Sequence, residues 1–139
     1  AKPIVFVAGG TGFAPIKGVI EHALHVHCTR PMTLYWGARR PGDLYMNELA
    51  LQWARDHAHF RYVPVVSDAV PDDNWSGPTG LVHRQVMADF PDLSGHQVYV
   101  CGAPAMVDAA KRDFSESCGL ATEEFFADAF TFASDKVAP

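Results

Sequence analysis

A chain of 139 residues is long enough to bury a sizeable core and is expected to form one domain, residues 1–139. Its 48% apolar content describes a soluble globular chain, and a net charge of −5 argues against a nucleic-acid or anionic-membrane surface, since both reward clustered Lys and Arg. No apolar run approaches the roughly 20 residues of a spanning helix, so no membrane insertion is expected. The three cysteines, Cys28, Cys101 and Cys118, form no Cys-x-x-Cys; they read as reduced thiols of a cytoplasmic protein, too few to ligate an iron–sulfur cluster.

Ile4 to Ala8 is a short, unbroken apolar run, the pattern of a strand buried on both faces of a parallel sheet. It starts so near the first residue, with no initiator methionine and no signal peptide ahead of it, that an excised domain or a fragment of a longer chain is expected. A glycine-rich turn, Gly9-Gly10-Thr11-Gly12, leads into a helix over about Phe13 to His27, with Ile16, Val19, Ile20 and Leu24 on its inner face. A helix start there offers unpaired N–H groups and a favourable dipole to an anion, and glycines let a phosphate approach the backbone. Gly10, Thr11, Gly12, Ala14 and Pro15 are thus the candidate diphosphate cradle, with Pro15 suited to a first helical turn. A P-loop ending fails, because Lys17 is followed by glycine and not preceded by it. A Gly-x-Gly-x-x-Gly fingerprint begins at Gly10 and Gly12 but has Pro15 in its third place. A short-chain dehydrogenase would need Tyr-x-x-x-Lys, and none of Tyr35, Tyr45, Tyr62 or Tyr99 has that lysine. His22, His25 and His27 beside Cys28 read as polar groups at a helix C-terminus, with no carboxylate or second cysteine to complete a metal site.

Met32 to Gly37 is the second strand, and Gly37-Ala38-Arg39-Arg40 follows it at the end where a parallel sheet opens its ligand crevice. Arg39 can reach a nucleotide there or stay solvated. Leu44 to Arg55 reads as an amphipathic helix and Phe60 to Val66 as the third strand, ending in Ser67-Asp68 and an acidic, turn-rich loop to Pro78. A helix from about Leu81 to Asp89 follows; His83 on it has no evident partner and is expected at the surface. Gln97 to Cys101 is the fourth strand, running into Gly102-Ala103-Pro104-Ala105-Met106 and a helix to about Ser117. Glu123 to Phe132 reads as a fifth strand.

Four signatures, in order and covering nearly the whole chain, carry a family resemblance. They are Gly-Thr-Gly-x-x-Pro (10–15), strand-Gly-x-Arg with Asp-Leu-Tyr (37–45), Trp-x-Gly-x-x-Gly-x-Val (75–82) and Val-Cys-Gly-x-Pro-x-Met (100–106). Together they resemble the nicotinamide-nucleotide half of the ferredoxin reductase family, nearest to the bacterial oxygenase reductases and deoxyglucoseen-type reductases. The resemblance implies an α/β fold with a five-stranded parallel sheet, order 3-2-1-4-5, and helices on both faces. It implies NADH with its diphosphate on Gly10 to Gly12 and its nicotinamide near Cys101, beside Gly102, Pro104 and Met106. Hydride would pass to FAD held by a separate domain of the same protein, and single electrons onward to an iron–sulfur centre, a haem or an oxygenase partner.

NADPH-using members usually carry Ser-Arg where this chain has Ser67-Asp68. A carboxylate accepts from a free 2′-hydroxyl and repels a 2′-phosphate, so NADH is expected. Asp68 can instead cap its own turn, and Arg39 and Arg40 keep NADPH open; Gly37 completes that end of the site. Family members also end their last strand in an acidic residue followed two positions later by an aromatic that covers the flavin, a spacing matched by Asp128 and Phe130. Cys101, Asp128 and Phe130 are therefore the expected residues at the reacting end, Cys101 shaping the ring's pocket and not acting as a nucleophile; the bland alternative is an ordinary strand. Ala103 and Ala105 depart from prolines often found in the family. No Arg-x-Tyr-Ser flavin motif is present, so the chain by itself is expected to bind NADH without turnover. A stand-alone NAD(P)-binding module and a flavin-independent, short-chain-dehydrogenase-like oxidoreductase are the competing functions.

Overall fold

β1 (Ile4–Gly9) occupies the middle of the sheet and is the strand around which the chain winds. The structure, a computed structural model, describes residues 2–129. Around β1 lie α1 (Phe13–His25), β2 (Met32–Ala38), α2 (Asn47–Asp56), β3 (Phe60–Val66), α3 (Val82–Asp89), β4 (Gln97–Gly102), α4 (Pro104–Cys118) and β5 (Phe125–Ala129). All five strands are parallel in the order β3-β2-β1-β4-β5, as the resemblance implied. Ile4 pairs with Met32 on one side and Gln97 on the other, and Ala8 lies between Trp36 and Cys101.

The unbroken apolar run of β1 is needed because both of its faces are covered. Ile4, Phe6 and Ala8 pack under α1 and α2, whereas Val5 and Val7 pack under α3 and α4. Burying one such side chain contributes roughly 1.5–3 kcal/mol. On the first face Phe13 stacks on Trp36 at 4.0 Å and 8°, and the Trp36 indole N–H donates to the Gly10 carbonyl at 3.0 Å. That bond ties the turn after β1 to the core. Winding passes from β1 outward to β3, then returns to β4, so a crevice opens between β1 and β4 at the C-terminal ends of the strands.

Two element starts differ from the periodicity. The helix expected from Leu44 begins at Asn47, because Pro41–Asp43 forms a 3-10 turn and Met46, at φ −122° and ψ 34°, is not helical. The fifth strand begins at Phe125, after a 3-10 turn over Thr122–Glu124, and its expected stretch beyond Ala129 lies outside the described residues. Among the described residues no helix is long and apolar enough to cross a membrane, and no group of three or more His, Cys, Asp or Glu could hold a metal ion.

Candidate cofactor-binding cleft

A cleft of about 890 Å³ lies over the C-terminal strand ends, within the range of small-molecule and cofactor sites. Gly9, Gly10 and Thr11 form its floor, and Gly37 to Arg39 with Ser67 form the end beyond β2 and β3. The far wall is built by the starts of α3 (Gly80 to His83) and α4 (Ala103, Ala105 and Met106).

The glycines of this region do different work. Gly10 has φ +54°, which favours glycine, and a Cβ there would meet nothing within 4 Å, so it presents bare backbone to the cleft. At Gly37 a Cβ would stand 2.6 Å from Val82 Cβ, and at Gly102 one would stand 2.7 Å from Met106 Cε; both glycines let a helix seat close against a strand end. Gly12 is buried, and its Cβ would collide with the Cys101 carbonyl oxygen and stand 2.6 Å from the carbonyl carbon. Of the five cradle candidates, therefore, Gly10 and Thr11 line the cleft. Gly12 seats the start of α1 on β4, while exposed Ala14 and half-buried Pro15 lie outside the cleft lining.

Electrostatics favour an anion over this floor. α1, α3 and α4 begin at or beside the cleft with no side-chain cap and no acidic residue in the first turn. Only α2, among the four helices, carries an acid there, Glu48. Uncapped helix starts leave N–H donors and the positive ends of helix dipoles available to a ligand.

The end beyond β2 and β3 is charged. Arg39 Nε donates to Asp68 Oδ2 at 2.8 Å, so the Asp68 carboxylate is held by an arginine across the rim as well as standing at its own strand end. Arg40 donates to Asp73 through Nε and Nη2, at 2.9 and 2.7 Å. These bonds raise both guanidinium pKa values, and Arg40 holds the Asp73 carboxyl below its usual range.

Cys101 sits at the tip of β4, buried, with Ala8 on one side and Asp128 on the other, outside the cleft lining. Burial, reinforced by the Asp128 charge, pushes its thiol up to about 11, so it is protonated at neutral pH and a poor nucleophile. Asp128 is exposed beside it; Phe130 lies outside the described residues. Pro104 opens α4 and is exposed, while Met106 reaches the cleft.

His83 is not the surface residue expected. It is buried in the cleft wall, with Nε2 2.9 Å from Asp113 Oδ2 on α4. The partner is distant in sequence, and only the packing of α3 on α4 brings the two together. Tyr45 was also missed as a cleft residue; it stands edge-on to Trp36 at 5.1 Å and 89°. Its place in Asp-Leu-Tyr after the second strand was the signal available.

A family model described as the oxidoreductase NAD-binding domain matches residues 6–112. The chain is 43% identical over 134 residues to protein RfbI of Salmonella typhimurium, covering 96% of this chain and 39% of that protein. It is 47% identical over 128 residues to CDP-6-deoxy-L-threo-D-glycero-4-hexulose-3-dehydrase reductase of Yersinia pestis, covering 92% and 38%. Among solved structures, the Amycolatopsis cytochrome P450 reductase GcoB superposes with a TM-score of 0.83 at 34% identity, over 94% of this chain and 38% of that one. The chain thus spans about two-fifths of the length of these relatives. By the family model, with which its sheet order and cleft agree, the chain belongs to the oxidoreductase NAD-binding domain family.

Proposed function

We propose that the cleft binds NADH and presents it to a flavin held by another domain of the same protein. The observation that carries this reading is a floor stripped of side chain at Gly10, ringed by helix starts without caps or acids. Gly10, Thr11 and the N–H groups at the start of α4 would hold the diphosphate. Arg39, Ser67 and Asp68 would border the adenosine, and the nicotinamide would lie toward the tip of β4, where Cys101 fills space beneath it. Bound there, the reduced nicotinamide supplies a hydride equivalent; the chain's own residues bind it, orient it and exclude water. The pairing of both rim arginines with carboxylates supports NADH over NADPH.

The greater length of the relatives supports a separate FAD-binding domain. The reductase names of two of them support onward transfer of electrons to a partner such as an iron–sulfur domain, a haem protein or an oxygenase. Free Cys28, Cys101 and Cys118 support a cytoplasmic setting.

Titration calorimetry of this chain with NADH and NADPH tests the binding reading. Saturable binding that favours NADH is expected, and binding of neither would overturn it. Mixing the chain with its FAD-binding domain should then give ferricyanide reduction from NADH. NAD-dependent alcohol oxidation without flavin would point to a different oxidoreductase.

A further inference from the structure

The rim beyond Arg39 carries six charged residues on two loops, Arg39, Arg40 and Asp43 after β2 and Asp68, Asp72 and Asp73 after β3. A phosphate monoester site would leave guanidinium forks free to grip oxygens in pairs. Here the fork of Arg40 is already engaged, and Arg39 is held by one bond. Arg39 gives its Nε to Asp68, and Arg40 makes a two-bond grip on Asp73 at 2.9 and 2.7 Å. The Asp43 carboxylate adds to the negative field at both guanidinium groups, and Asp68 adds to it at Arg40.

Asp73 is itself locked in place. Its carboxylate accepts the Val70 N–H at 2.9 Å, its side chain is only 15% exposed, and it closes the 3-10 turn Pro71–Asp73. The next residue, Asn74, takes the left-handed conformation at φ +50° that ends the turn. Arg40 is therefore drawn toward a carboxylate whose position is set by backbone. Two positive and four negative charges leave the rim at −2. An exposed ion pair of this kind adds little to stability. Its effect is to take a guanidinium away from any phosphate that arrives.

We propose that Asp73, acting through Arg40, is a specificity-determining residue that excludes dinucleotides carrying a 2′-phosphate. The proposal rests on the reading of the cleft as a dinucleotide site. Asp68 stands just past the end of β3, next to cleft-lining Ser67, and Asp73 engages the neighbouring cation that would offset its charge. The pair makes selectivity a property of two loops, not of one strand-end residue.

The test is the ratio of NADPH to NADH affinity, measured by calorimetry on this chain at low and high salt. Asp73→Asn keeps an oxygen acceptor for the Val70 N–H while removing the charge. It should raise the ratio on the order of tenfold at low salt, with most of the gain lost at high salt. Adding Arg40→Gln to that variant should abolish the gain. Arg40→Gln alone, which leaves Asp73 bare, should lower the ratio about threefold; it keeps the test decisive should the Asn variant fold poorly by thermal melt. 2′,5′-ADP against 5′-AMP, which lack the nicotinamide, should repeat the pattern. A ratio that ignores both substitutions, or a gain that survives loss of Arg40, overturns the proposal while NADH binding itself stands. Failure of the unmodified chain to bind NADH overturns the dinucleotide reading and this proposal with it.

Discussion

Replacing Gly12 by alanine separates two roles that a glycine-rich turn confounds. The backbone there, φ −60° and ψ −9°, suits alanine, so chain entropy alone would favour the substitution by about 0.5–1 kcal/mol. Against that, the new Cβ would stand 2.6 Å from the Cys101 carbonyl carbon and 3.0 Å from Gly102 Cα. These are atoms of β4, which is hydrogen-bonded into the sheet on both sides and cannot rotate away as a side chain would. Relief requires the start of α1 to lift, disturbing the Phe13–Trp36 stack and the Trp36 bond to Gly10. Overpacking of this kind costs about 1–3 kcal/mol, and contact with backbone places it at the upper end. A net loss of about 2 kcal/mol corresponds to a fall in Tm of roughly 6–8 °C for a domain of this size. Thermal melting by circular dichroism reads the loss, and calorimetry with NADH reads the site. Gly10→Ala is the comparison. It meets no atom within 4 Å but must hold φ +54°, so about 1 kcal/mol is lost while the added methyl intrudes on the cleft floor. Gly12→Ala should thus lose more stability, and Gly10→Ala should lose more affinity, about tenfold. A Gly12→Ala chain that melts at or above the parent temperature refutes the close-approach argument. One that melts normally yet binds no NADH would return Gly12 to the cradle.

Trp36→Phe keeps the stack on Phe13 but removes the bond to the Gly10 carbonyl; about 1 kcal/mol of stability should go in urea titration, with weaker NADH binding. Cys101, with its thiol pushed up to about 11, should react with iodoacetamide at pH 8 about a hundredfold more slowly than half-buried Cys28; equal rates by peptide mass spectrometry would contradict its environment. Burial holds His96 below its ordinary value, against the opposing pull of Asp92. A depressed imidazole binds its proton more weakly in the native chain than in the unfolded one, so its contribution is complete above the unfolded value of about 6.5 and is lost as pH falls below it. The urea midpoint should decline from pH 7 to 5, and His96→Gln should flatten that slope. Asp68→Arg should move preference toward NADPH, and unchanged selectivity would refute the role given to its carboxylate.

The three inner strands β1, β2 and β4 were legible because each is a short, mostly apolar run closed by glycine or a polar turn, and burial on two faces demands such runs. Their order was implied by the resemblance and could not come from periodicity, which says nothing about neighbours. Helix starts were less legible. Leu44 continues the apolar spacing of α2 into a segment whose backbone Pro41-Gly42-Asp43 has already committed to a 3-10 turn. At the site, local spacing pointed to Gly10 and Thr11 and the resemblance to Arg39 and Ser67, and all four line the cleft. What it missed were relations across elements. Gly12 meets the backbone of a strand far along the chain, His83 finds Asp113 only through helix packing, and Arg39 meets Asp68 only because β2 and β3 end side by side.

The register that places Ile4 beside Gln97 has a kinetic consequence. The central strand is made first but is completed by one of the last to follow, and such non-local pairing slows folding. The cleft floor comes from the turn after β1 and one wall from the start of α4, so no ligand site exists until β4 docks. Dinucleotide therefore has nothing to grip in the folding transition state unless that pairing is already made. Present at 100 times its Kd, a ligand stabilises the native chain by about 2.7 kcal/mol, and where β4 docks after the transition state the whole of it should appear as slower unfolding with no gain in folding rate. In a cell, occupancy of the cleft would then govern how long a folded molecule lasts, not how quickly one forms.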